Sequence, residues 1–149
     1  MSAQTVKDPI RFARDAATMA GCYALAELDR LQDELADTEG EVTWRMEGAM
    51  VGGRPALRIL IEANPTLICQ ACLTPYVHIL HGEGVIYLAR NDAELERWEH
   101  DDPLLDVIVS EEHMDVRTLI EDELLLSLPV VPRHEDEDCV RHDDSLGEH

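Results

Sequence analysis

The sequence predicts an α+β fold, in which an antiparallel sheet or open barrel packs against N-terminal helices and one C-terminal helix. A disordered acidic tail follows. Apolar residues recur at three- and four-residue steps near the N terminus, alternate with a period of two through the middle, and return to helical spacing before the tail. Because 149 residues suffice for one core, we expect one α+β domain over residues 1–133 and an acidic tail over residues 134–149.

Helical signals dominate the first part of the chain. Asp8 followed by Pro9 supplies a helix cap and a first-turn proline, which predicts a short helix from Pro9. The Ala-rich segment 16–26 is interpreted as helix rather than as a signal peptide, because charged residues flank it on both sides. An amphipathic helix is expected over residues 24–35, where four leucines share one face: Leu25, Leu28, Leu31 and Leu35.

The middle of the chain has the period of strands. Residues 42–47 alternate apolar and polar side chains, which predicts a half-buried strand. Gly52 and Gly53 then predict a hairpin turn to a second strand. The returning strand continues past Pro65, a residue typical of an edge or bulge, and ends at Cys69.

A second hairpin, a connection or short helix, a fifth strand and a C-terminal helix complete the predicted elements. The segments YVHIL and VIYLA flank HGEG (residues 81–84), which we interpret as a glycine-containing turn. Residues 90–102 form a solvated connection or short helix, and residues 104–109 a short fifth strand. Asp115 then caps an amphipathic helix that ends before Pro129.

The charge restricts the class of partner. Against 32 acidic residues stand 12 basic ones, for a net charge of -20. Such a surface repels phosphates and anionic lipid, so DNA and membranes are excluded as partners and basic proteins are favoured. The alternative is that the charge only maintains solubility. No apolar run approaches the roughly 20 residues that span a bilayer, and we expect a cytoplasmic protein.

Two pairs of metal-ligating residues lie far apart in the sequence. Cys69 and Cys72 form a CxxC pair, and His134 and Cys139 an HxxxxC pair in the tail. Three thiols and one imidazole are the ligand set of a closed structural zinc site, which leaves no open position for hydrolytic chemistry. The alternatives are unrelated cysteines or a redox CxxC. His78 and His81 are alternative ligands.

Motifs of catalysis are lacking in the sequence. It contains no GxSxG elbow, no phosphate-binding GxxxxGK[ST] loop and no HExxH, which favours a protein that is not an enzyme. Arg45, Arg54 and Arg58 form a candidate positive patch for RNA. Their alternative role is to pair with nearby acidic residues in solvent.

Several segments resemble one known family over most of the chain. CQAC followed by LTP, MDVRTLIEDELLLSLPVVPRH, the terminal HxxxxC, and DPIRFAR and LDRL near the N terminus are similar to the bacterial large ribosomal RNA subunit accumulation protein YceD family. The resemblance implies a non-catalytic role in the accumulation of large-subunit rRNA, a process to which related plastid proteins are also linked. Its bacterial genes often neighbour that of a small zinc-ribbon ribosomal protein, which implies a strongly basic partner.

The resemblance carries the four ligands over to Cys69, Cys72, His134 and Cys139. The family often has a basic residue and a glycine around the CxxC pair, where this chain has Ala71 and Leu73. We therefore expect a non-enzymatic ribosome biogenesis factor that binds a basic ribosomal protein or assembly factor and meets rRNA indirectly. The alternatives are an RNA-binding module that uses the arginines and a CxxC thiol oxidoreductase.

Overall fold

The computed structural model describes residues 5–129 and 131–133. Its elements in chain order are β1 (Thr5–Val6), α1 (Pro9–Arg14), β2 (Thr18–Ala24), two 3₁₀ turns (Leu25–Glu27 and Asp29–Glu34), β3 (Glu41–Val51), β4 (Arg54–Ala63), β5 (Thr66–Ile68), β6 (Pro75–Val77), β7 (Leu80–Ala89), α2 (Asp92–Asp101), β8 (Val107–Val109), β9 (Met114–Asp115) and α3 (Val116–Ser127). The predicted α+β class is confirmed.

Five strands form the central sheet in the order β2-β3-β4-β7-β8. Neighbouring strands are antiparallel except β7 and β8, which run parallel. The sheet is open, with β2 and β8 at its edges. The strand pairs β1–β9 and β5–β6 are separate from it.

The inner face of the sheet carries the main core. Its side chains alternate with outward polar ones as the period of two predicted, and they include the fully buried Trp44, Met46, Leu57, Ile59 and Ile61. Both α1 and α3 pack on this face, whereas α2 packs on β7 and β8 in a smaller cluster around Trp98. The predicted C-terminal helix and the helix starting at Pro9 are thus confirmed.

Two of the predicted N-terminal helical segments are wrong. The Ala-rich segment is the edge strand β2, which pairs with β3 from Thr18 to Ala24. Gly21 fits there because a methyl group at this position would lie 3.1 Å from the indole ring of Trp44. Cys22 is exposed on this strand. The leucine-rich stretch after it forms the two short 3₁₀ turns instead of one α-helix.

The interpretation of HGEG as a turn is also wrong. Gly82 and Gly84 lie inside β7, which pairs with β4 in a register that runs from Ala63 opposite Leu80 to Ala56 opposite Tyr87. Their missing side chains let α3 approach, since a methyl group at Gly84 would lie 2.5 Å from a carboxylate oxygen of Glu123. The expected hairpin turn at Gly52 and Gly53 is found, and both glycines have a positive φ.

The β5–β6 hairpin leaves the sheet between β4 and β7. We name residues 64–79 the CxxC arm, because the turn that joins its two short strands contains Cys69 and Cys72. Among the described residues, no helix is long and apolar enough to cross a membrane.

Candidate functional site

The CxxC arm holds its two cysteines in a tight turn. The Cys69 N–H donates to the Thr74 carbonyl at 2.9 Å, and the Leu73 N–H donates to the Cys69 carbonyl at 2.7 Å. Both cysteines are buried and pack with Tyr76 in a small cluster separate from the main core. Two buried thiols in one closed turn are the arrangement that half of a structural zinc site requires.

Leu73 has a backbone conformation that favours glycine. Its φ is 61°, in the left-handed region, and its side chain is 71% exposed. This conformation costs a residue with a side chain about 1–2 kcal/mol. The turn therefore forms without the glycine, at the expense of local backbone strain.

The chain leading to the second ligand pair reaches the CxxC turn. The Gln70 N–H donates to the Pro132 carbonyl at 2.8 Å, and His134 follows two residues later. The fold thus brings Pro132, the second residue before the HxxxxC segment, into contact with the turn that contains the two thiols.

His134 and Cys139 themselves lie outside the described residues. Within the part of the chain that the structure describes, no group of three or more Cys, His, Asp or Glu side chains is arranged to hold a metal. The zinc set therefore stays a prediction, and the structure describes only its first pair, Cys69 and Cys72.

The two alternative histidine ligands are held by other contacts. The ring of His78 meets that of Tyr76 edge-on at 6.2 Å, and burial lowers the pKa of His78. His81 lies on the outer face of the sheet, the face opposite α1 and α3, with its Nδ1 3.6 Å from a carboxylate oxygen of Glu62. His78 thus contacts a ring that itself packs against the two cysteines.

Arg45 and Arg58, two of the three arginines of the candidate RNA patch, share the outer face with carboxylates. Arg45 lies 2.6 Å from Glu47, and Arg58 lies 2.7 Å from Glu83 and 3.8 Å from Glu47. The two guanidinium groups therefore belong to one mixed ion-pair ladder, in which the positive charge is balanced.

Arg54 has different neighbours. It lies 5.0 Å above the ring of Trp98 and 3.6 Å from Asp101, both on α2. Cation–π and ionic contacts of this kind fix a guanidinium against the protein. The RNA-binding role of these arginines remains a prediction, but the ion pairs match the alternative that the sequence had offered.

A feature that the sequence reasoning missed is the apolar outer side of the CxxC arm. Four apolar residues of the arm are exposed: Pro75 and Val77 lie in β6, Ile79 follows this strand, and Leu73 lies in the turn before it. From residue 63 to residue 80 the chain contains no Asp, Glu, Lys or Arg. An uncharged stretch in so acidic a chain is the feature of the sequence that could have indicated this exposed surface.

At its base the arm meets an acidic groove. The groove has a volume of about 390 Å³ and lies between Ile79 and the end of the outer sheet face, where Glu41, Glu62 and His81 line it. The apolar row of the arm thus ends beside two carboxylates.

The chain is similar to known proteins over a range that includes the CxxC arm. Residues 57–148 match the family model described as large ribosomal RNA subunit accumulation protein YceD. A Haemophilus influenzae protein of that name is 27% identical over 141 residues, which cover 89% of this chain and 76% of that protein. No solved structure matches the chain. The matched range contains the CxxC arm, α3 and the positions of both ligand pairs.

Proposed function

The chain belongs to the YceD family of large ribosomal RNA subunit accumulation proteins, and we propose that it promotes accumulation of this rRNA in the cytoplasm without catalysing a reaction. It acts by holding a basic ribosomal protein or assembly factor. The bound protein is kept from unproductive contacts until rRNA, with its denser array of phosphates, displaces the acidic surface.

The distribution of charge is the observation that supports a basic protein as partner. The outer-face arginines are balanced by carboxylates, and Arg30, Arg90 and Arg97 are paired in the same way. Since 32 acidic residues face 12 basic ones, the carboxylates left over dominate the surface. A negative field attracts cationic polypeptides and repels RNA.

A thiol oxidoreductase is disfavoured by the position of the cysteines. A reactive thiol needs solvent access and a group that lowers its pKa, such as a helix N terminus. Here Cys69 is completely buried, and the turn leads from β5 into β6, not into a helix.

We further propose that Cys69, Cys72, His134 and Cys139 hold one structural zinc ion. The closed turn and the bond from Gln70 to Pro132 support this. When bound, the ion would fasten the C-terminal segment to the CxxC arm. The thiols would then serve as ligands and not as nucleophiles.

Zinc analysis of the purified chain tests the site. We expect one zinc per chain, lost in Cys69→Ser and retained in Cys22→Ser, which removes an exposed thiol on β2. Removal of zinc by a chelator should lower the free energy of unfolding of the wild type but not of Cys69→Ser. Equal zinc contents in the two variants would contradict the proposed ligand set.

Deletion and capture test the function. Cells that lack the protein should contain less large-subunit than small-subunit rRNA, and the tagged wild type should capture a basic large-subunit or assembly protein from nuclease-treated lysate. The double variant Arg45→Gln/Arg58→Gln should restore rRNA as well as the wild type does. A protein that binds only RNA, with affinity falling steeply as salt rises and lost in the double variant, would refute the proposal in favour of the RNA-binding alternative.

A further inference from the structure

In the part of the chain that the structure describes, β5 is the only strand that pairs with β6, and the other edge of β6 is open for strand addition. The His78 N–H donates to the Pro65 carbonyl, and Val77 faces Thr66 across the pair. Because hydrogen bonds alternate along an antiparallel strand, the N–H and C=O of Val77 point away from β5. This edge presents a backbone that another extended chain can pair with.

The side chains along that edge are apolar and exposed. Leu73 is 71% exposed, Val77 61% and Ile79 70%, and Pro75 lies between the first two. Such contiguous exposed apolar side chains mark interaction surfaces, whereas isolated ones are ordinary. Leu73 also holds a strained left-handed conformation, and strain at an exposed residue is frequent at functional sites.

Negative charge lies at the Ile79 end of this uncharged row, in the groove lined by Glu41 and Glu62. The complementary ligand is an extended segment with apolar residues at alternate positions and a basic residue at the end that meets the groove.

We propose that an extended segment of a basic protein adds as a third strand to β6, packs its apolar side chains on Leu73, Val77 and Ile79, and places a cationic side chain beside Glu41 and Glu62. This inference rests on the proposed function, since it names the surface that the basic partner contacts. Backbone pairing supplies affinity, and the apolar and acidic contacts select the segment.

Photo-crosslinking in growing cells locates the contact. A benzophenone amino acid at position 77 or 79 should crosslink to the same basic protein that the wild type captures. The matched control is position 104, because Leu104 is an apolar residue that is 94% exposed outside the arm. Crosslinks from 77 and 79 to a second copy of this chain, to its own tail or to RNA would overturn the inference.

Val77→Pro tests strand addition directly. Proline removes the outward N–H and leaves the bonds to β5 in place, as is tolerated on edge strands. We expect about tenfold weaker binding of the captured protein, with an unchanged urea midpoint. Val77→Asp, which keeps the N–H, should weaken binding through its charge, and Leu104→Asp should not. Wild-type affinity in both Val77 variants would overturn the proposal.

The two proposals fail in different ways. If deletion leaves the ratio of rRNAs unchanged, the proposed function is wrong. If deletion lowers large-subunit rRNA and the wild type captures a basic protein, but crosslinks arise only from other surfaces, the function stands and the docking site on β6 is wrong.

Discussion

Gly48→Ala is the sharpest test of how α1 is seated on the sheet. Gly48 lies in β3, and a methyl group there would meet the carbonyl oxygen of Phe12 and lie 2.7 Å from the Cα of Ala13. Carbon atoms pack at about 3.5–4.0 Å, so α1 would have to move by about 1 Å. Both obstacles are backbone atoms, and Ala13 is buried, so no side chain can rotate away.

The expected cost follows from this geometry. Overpacking of a core costs about 1–3 kcal/mol, and a clash with backbone belongs at the upper end of that range. Alanine stabilises by about 0.4–1 kcal/mol through the unfolded chain, so we expect a net loss of about 2–3 kcal/mol. With a urea m-value of about 2 kcal/mol per molar, the unfolding midpoint should fall by about 1–1.5 M.

Gly21→Ala is the matched control, in the neighbouring strand β2. Its methyl group would meet only the ring of Trp44, at 3.1 Å, a contact that a shift of a few tenths of an ångström relieves. The entropic gain of alanine offsets that cost, so the change should stay within about 0.5 kcal/mol. Urea unfolding followed by fluorescence of the buried Trp44 measures both variants. Equal midpoints for Gly48→Ala and the wild type would refute the packing of α1 against β3.

Three further predictions concern the C-terminal helix and the turn. Burial, and then the charge of Asp106, raises the pKa of Glu123. The stability that this group contributes is therefore largest below its unfolded pKa and is lost as the pH rises through the folded pKa. In urea unfolding from pH 4 to 7, Glu123→Gln should become more stable relative to the wild type, and a constant difference in their free energies of unfolding would refute this. Glu121 is buried and accepts the Arg30 N–H at 2.6 Å, so Glu121→Ala should cost about 2 kcal/mol in the same assay. The half-exposed Asp122, which also pairs with Arg30, is the control, and Asp122→Ala should cost less than about 1 kcal/mol. Leu73→Gly relieves about 1 kcal/mol of strain and should raise zinc affinity in a competitive chelator titration by a few-fold, while weakening partner binding; unchanged values would contradict the role given to this residue.

Local periodicity sufficed to predict the strands whose two faces differ. The alternation around Trp44 was readable because the inner face of β3 is buried and its outer face is charged. Strand β2 could not be predicted in this way, because its small residues do not alternate between apolar and polar. It is a strand because it pairs with β3 at the edge of the sheet. Tertiary pairing there overrides the helix propensity of alanine.

Glycine was the second source of error. In HGEG it indicated a turn, whereas Gly82 and Gly84 sit within β7 to admit α3 at close range. The same residue type serves both purposes, and only the position of a distant helix distinguishes them. The ligand pairs pose the same problem. The motif at Cys69 was visible, but the bond from Gln70 to Pro132 that brings the later segment near it is a long-range contact.

The charge and the uncharged arm have separate kinetic roles in the mechanism we propose. A net charge of -20 acts over a Debye length of about 8 Å at physiological salt, so it accelerates encounter with a cationic protein but specifies no register. Strand addition at Val77 specifies register and slows dissociation. Raising the salt concentration should therefore lower the association rate, and Val77→Pro should raise the dissociation rate at every salt concentration. Stopped-flow kinetics with the captured protein measures both, and a variant that changes only the association rate would show that β6 contributes charge steering and no docking.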